Sequence, residues 1–91
     1  MTFVYLSGVQ TFLANKIDEN PNYADCIRVF EFMVGRNKTI GEPLRRGLPI
    51  SYRLFKAFAP VVEPLVFTYQ IQGDVIFVVK VVLLKDLLPN I

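Results

Sequence analysis

The segment from Leu65 to Lys85 constrains the fold more than any other part of the chain, because it reads as two β-strands joined by a two-residue turn. Gly73 and Asp74 stand at the tip, and glycine at the first position of a two-residue loop is typical of a type II′ turn. Before the turn, apolar and polar residues alternate, so that four side chains share one face: Leu65, Phe67, Tyr69 and Ile71. This pattern predicts a strand with one buried face.

The arm after the turn, Val75 to Leu84, is apolar on both faces except for Lys80. A strand of this composition is covered on both sides, so we predict that it is the central strand of a sheet. A two-residue loop would pair Gln72 with Val75 and Phe67 with Lys80, which places Lys80 on the buried face. Two explanations stay open: Lys80 reaches water near an end of the sheet, or this face is partly open and binds an anion.

Composition excludes several classes of protein. The 91 residues make a single domain, 1–91, and contain no histidine and one cysteine, Cys26. Without histidine, the commonest general base and metal ligand are missing, so we expect no metal site and no cofactor. Cys26 cannot form an internal disulfide and is expected in the core. The longest apolar run is too short for a membrane span of about 20 residues, and no signal peptide is evident, so we expect a cytoplasmic protein without a membrane partner.

Two helices are predicted before the hairpin. Thr2 to Leu6 is rich in β-forming residues and is expected to be an edge strand, after which Ser7 would cap a helix from Gly8 to Ile17. A second helix would follow Asn20 and end at Gly35 as a left-handed C-cap. Its apolar residues recur at helical spacing: Tyr23, Ile27, Phe30 and Val34, widened by Cys26 and Met33. Each helix needs a partner layer, which the sheet supplies.

The rest of the chain completes the predicted order. Residues 36–49 read as a loop and Ile50 to Phe58 as a strand, which gives β-α-α-β-β-β, an α+β fold with two N-terminal helices packed on an antiparallel sheet. Between Arg36 and Lys56, six cations stand against Glu42 alone, a net charge of +5. This basic segment is either a solvated loop with a charged edge strand, or a surface that binds phosphates and stacks a base.

The element order and one motif resemble a known family. The run LRRGLPISYRLFKAF, followed by LVFTYQI and a last apolar strand, is similar to the RelE/ParE superfamily of toxins from toxin–antitoxin pairs. That family has a Leu-Arg-Gly-Leu-Pro-like loop leading into a Tyr-Lys/Arg strand. The matching residues are Leu44, Arg45, Gly47, Leu48, Pro49, Tyr52 and Arg53, with Tyr69 in the following strand. The resemblance covers almost the whole chain and implies a RelE/ParE-like fold.

The RelE branch cleaves messenger RNA on the ribosome with cationic side chains. Carried over residue by residue, the resemblance makes Arg53 and Lys85 the catalytic candidates, within reach of one scissile phosphate. The nucleic-acid-binding candidates are Arg45, Arg46, Lys56, Lys80 and Tyr52. The chain departs from the family pattern at Leu65 or Val66, where a basic residue is expected, and at Asp86, which replaces a basic neighbour of Lys85.

Three functions therefore compete. The first is a ribosome-dependent mRNA endoribonuclease of the RelE type. The second is a non-enzymatic ParE-like toxin, or a catalytically degenerate relative that binds a partner. The third is a small viral or plasmid protein for nucleic-acid binding or assembly.

The resemblance also implies a cognate antitoxin, in addition to a ribosome or RNA target. The expected contact surface is the outer flank of the second helix, Val29 and Phe32, together with the basic loop that starts at Arg36. An acidic, partly apolar segment would find complementary charge and an apolar anchor there. Alternatively, Val29 and Phe32 widen the core stripe or form a homodimer contact.

Overall fold

A computed structural model of the chain describes residues 1–43 and 52–87. Its elements, in chain order, are β1 (Thr2–Tyr5), α1 (Ser7–Glu19), α2 (Tyr23–Arg36), β2 (Glu42–Pro43), β3 (Tyr52–Ala57), β4 (Leu65–Gln72), β5 (Val75–Leu83) and α3 (Leu84–Leu87). The α+β class is confirmed, and the longer elements follow the predicted order. The short elements β2 and α3 were not predicted, because two- and four-residue elements carry too few positions for a periodic pattern.

The five strands form one sheet in the order β1-β5-β4-β3-β2. The predicted edge position of β1 is confirmed, and β5 is internal, but β4 and not β5 is the central strand of the five. The prediction of a wholly antiparallel sheet is wrong, because β1 runs parallel to β5, with Thr2 opposite Val75 and Tyr5 opposite Val78. The chain crosses from β1 through both helices and the other strands before it returns as β5, and such a long connection allows parallel pairing.

Both helices differ from prediction at their ends. Ser7 is the first residue of α1, and the capping residue Leu6 makes no side-chain cap hydrogen bond. The second helix starts at Tyr23, because the backbone N–H of Asn22 bonds the Asn20 side chain and closes a turn there. Gly35 lies inside α2 and is not a left-handed C-cap, since the helix continues to Arg36. These shifts of one or two residues leave the buried helix faces unchanged.

The core lies between the helices and one face of the sheet. Phe30 is at its centre: its ring stacks on Phe67 with centroids 4.2 Å apart and meets Tyr69 and Phe3 edge-on. The predicted helix stripe is confirmed for four buried residues of α2: Tyr23, Cys26, Phe30 and Val34. Ile27 is half-buried against this core, whereas Met33, which was predicted to widen the stripe, is half-buried and lies outside the core cluster. Cys26 is fully buried and its thiol pKa is raised by that burial, so it is a core residue as predicted.

The β4–β5 hairpin turns at Gly73, whose φ of +59° fits the first position of the predicted type II′ turn. Gln72 pairs with Val75 as expected, but the predicted pairing of Phe67 with Lys80 is wrong. A β-bulge at Val79 shifts the register, so that Lys80 lies opposite Thr68 and Val81 lies opposite Phe67. One extra residue moves every later side chain to the other face, so Lys80 leaves the core face and is exposed.

None of the helices in residues 1–43 and 52–87 has the length and apolar character needed to cross a membrane.

Candidate functional site

The sheet face opposite the helices carries a groove of about 450 Å³. Strand register places alternate residues of β3, β4 and β5 on this face, which we call the open face. The apolar lining consists of Leu54, Val66, Val79, Val82 and Leu87. Val66 is only 1% exposed, yet it lies outside the core cluster under the helices, so the open face has an apolar floor of its own.

Four polar side chains also line the groove: Tyr52, Thr68, Lys80 and Asp86. Tyr52 and Thr68 come from β3 and β4, and Asp86 comes from α3 at the end of the sheet. Lys80 reaches the groove because the bulge at Val79 turns it to this face. Within the described parts of the chain, the Lys80 ammonium forms no ion pair.

The structure brings part of the predicted nucleic-acid-binding set together on the open face. Tyr52 and Lys80 line the groove, and Lys56 is exposed on the same face, opposite Val66. Arg45 and Arg46 lie outside the described residues.

Arg53, a predicted catalytic residue, is on the helix side of the sheet. It pairs with Tyr69, and its Nη1 donates hydrogen bonds to the carbonyl oxygens of Gly41 at 2.6 Å and Thr39 at 3.1 Å. These bonds commit the guanidinium to the segment that follows α2.

Tyr69 completes this attachment from the neighbouring strand. Its hydroxyl donates to the carbonyl of Lys38 at 2.8 Å and accepts the backbone N–H of Gly41 at 3.1 Å. A Cβ atom on Gly41 would lie 2.7 Å from both the Leu54 carbonyl and the Tyr69 hydroxyl, so the close approach requires glycine. Burial raises the pKa of Tyr69, while the Gly41 N–H and Arg53 oppose that rise. We call Arg53, Tyr69 and Gly41 the clamp.

Lys85, the second predicted catalytic residue, is not brought near Arg53. It is exposed on α3, and its backbone N–H is bonded by the Glu63 carboxylate at 3.0 Å. It follows Leu83, which pairs with Leu65, four residues along β4 from the partner of Arg53. Four strand residues span about 13 Å, and Arg53 faces the helices.

The predicted partner surface is on the outer side of α2. Phe32 is 61% exposed, so it does not widen the core, whereas Val29 is half-buried. Arg36 is exposed, and its guanidinium carbon lies 5.3 Å from the centroid of the Phe32 ring. A cation over an exposed ring forms an apolar and positively charged patch.

Two features of these surfaces could not be predicted from the sequence. A β-bulge has no local signature among consecutive valines, so the position of Lys80 in the groove was missed. The clamp depends on tertiary contacts such as that between Gly41 and Tyr69, which are 28 positions apart, so no local pattern indicates it. Among the described residues, no group of three or more potential metal ligands is present.

Comparison with known proteins found no match among family models, curated proteins or solved structures.

Proposed function

We propose that this chain is a RelE/ParE-like toxin relative that acts by binding a protein partner and does not cleave RNA. The observation that carries the proposal is the position of Arg53, which is bonded to two backbone carbonyls on the helix side of the sheet. An arginine held in this way is not available to stabilise charge on a phosphate. The separation of Arg53 from Lys85 supports the same conclusion.

The outer side of α2 is the proposed contact surface for the partner. Phe32 offers a large exposed ring, Val29 extends its apolar surface, and Arg36 adds a positive charge beside it. An acidic, amphipathic segment would place an apolar residue on Phe32 and a carboxylate on Arg36. The partner of this chemistry is a cognate antitoxin.

Co-expression with the product of the adjacent reading frame, followed by size-exclusion chromatography, tests this proposal. We expect the two proteins to co-purify and the partner to relieve growth inhibition. Phe32→Glu should disrupt the complex, because it replaces the apolar anchor with a charge that repels an acidic segment. Phe58→Glu is the matched control, since Phe58 is 58% exposed but lies after β3. If the two changes have equal effects, or if neither affects co-purification, the α2 surface is not the contact surface for the partner. If Phe32→Glu alters only self-association, the surface is a homodimer contact.

A second candidate function is RNA binding on the open face. It is favoured by the meeting of Tyr52 and Lys80 in one groove, with Lys56 on the same face. Tyr52 could stack on a base while the two lysines neutralise phosphates. A filter-binding titration with single-stranded RNA tests it: a Lys56→Ala, Lys80→Ala double variant should bind more weakly and with a shallower salt dependence.

A further inference from the structure

The groove on the open face has the construction of a small-molecule site. Its volume of about 450 Å³ falls within the roughly 300–1,000 Å³ of ligand pockets. Such pockets combine an apolar lining with a few polar groups that fix the orientation of the ligand. Here the floor is Val66 with Leu54 and Val82, and among the described residues of the lining Lys80 is the only cation.

The β-bulge at Val79 is the feature that gives the groove a charge. Without it, Lys80 would lie opposite Phe67 in the helix-side core, where an ammonium is strongly disfavoured. Bulges re-aim side chains next to functional sites. The register change therefore places one ammonium beside an apolar floor, with the hydroxyl groups of Tyr52 and Thr68 in the same lining.

We propose that this groove binds a small apolar monocarboxylate, with the acyl chain on the Val66 floor and the carboxylate at Lys80. A single carboxylate matches the one ammonium that the described lining residues provide, and the hydroxyls of Tyr52 and Thr68 can donate further hydrogen bonds to it. Asp86 repels a second negative charge at the α3 end, so the ligand lies with its apolar end toward α3. This site is independent of the partner surface, because α2 packs on the opposite face of the sheet.

Isothermal titration with octanoate and with octanol at pH 7 tests the proposal. We expect octanoate to bind about five- to tenfold more tightly than octanol, and this preference to decline with added salt. Lys80→Met keeps most of the aliphatic stem and should abolish the preference while octanol still binds. Lys16→Met is the matched control, because Lys16 lies on α1, on the other side of the sheet, and it should keep the preference.

Val82→Phe, which fills the groove, should weaken both ligands, with folding of each variant checked by thermal melting. Equal affinity for octanoate and octanol in the wild-type protein would overturn the assignment of Lys80. A preference that survives Lys80→Met would do the same. If neither compound binds at millimolar concentration, the groove does not bind acyl chains. If an apolar peptide with a free C-terminal carboxylate binds and octanoate does not, the groove takes a protein ligand instead.

Discussion

Tyr69→Phe is the sharpest test of the clamp, because it removes one oxygen atom from a buried ring and leaves the volume of the core almost unchanged. The hydroxyl makes two hydrogen bonds, to the Lys38 carbonyl and from the Gly41 N–H. Gly41 is buried, so its N–H would lose its partner, which costs about 1–3 kcal/mol. The bond to Lys38 contributes about 0.5–1.5 kcal/mol more. We expect a loss of roughly 2–4 kcal/mol in the free energy of unfolding.

Urea unfolding followed by circular dichroism and by tyrosine fluorescence measures this loss. In a domain of this size, it corresponds to a fall in Tm of roughly 10–25 °C. Tyr23→Phe is the control, because Tyr23 is also buried but its hydroxyl forms no hydrogen bond with another described residue. If Tyr69→Phe changes the free energy of unfolding no more than Tyr23→Phe does, the clamp is not a source of stability.

Three further predictions concern the fold. Gly73→Ala should destabilise the protein by about 1 kcal/mol, measured by urea unfolding. The added Cβ would meet no atom within 4 Å, so the cost comes from holding alanine at a φ of +59°. Burial, together with the hydrogen bond that the Tyr5 hydroxyl donates to the Glu31 carboxylate, raises the pKa of Tyr5 above its ordinary 10.0. The stability that results from this shift is fully present below pH 10 and should be lost as the pH rises further. Tyr5→Phe, which has no hydroxyl to ionise, should lose less stability over the same pH range. Hydrogen exchange should find the amides of Phe77 to Val82 among the slowest, except Val79, which has no partner on β4; fast exchange throughout would contradict the internal position of β5.

The features that the sequence predicted well depend on local patterns. Gly73 marks the turn because few other residues adopt its φ, and the spacing of Phe30 and Val34 fixes the buried face of α2. The features that it missed depend on tertiary contacts. Val79, the bulged residue, is one of several apolar residues in a row. Any of them could be the unpaired residue without changing the apolar pattern of the sequence. Parallel pairing of β1 is likewise decided by the path of the whole chain.

The candidate sites divide along the same line. The position of Phe32 off the helical stripe made its exposure one of two alternatives, and the structure decides for exposure. The role of Arg53 could not be predicted, because the strand register decides which face of the sheet its side chain occupies. Here the register places it beside Tyr69 and under the segment that follows α2, where backbone carbonyls accept its hydrogen bonds.

Ribosome-dependent cleavage of messenger RNA most directly tests whether the chain binds or cleaves. Purified wild-type protein is added in excess to programmed ribosomes, and the message is mapped by primer extension. Because Arg53 is committed to the carbonyls of Thr39 and Gly41, we predict that the message stays intact. Cleavage by the wild-type protein that falls by two or more orders of magnitude in a folded Arg53→Ala variant would contradict the proposal and establish Arg53 as catalytic.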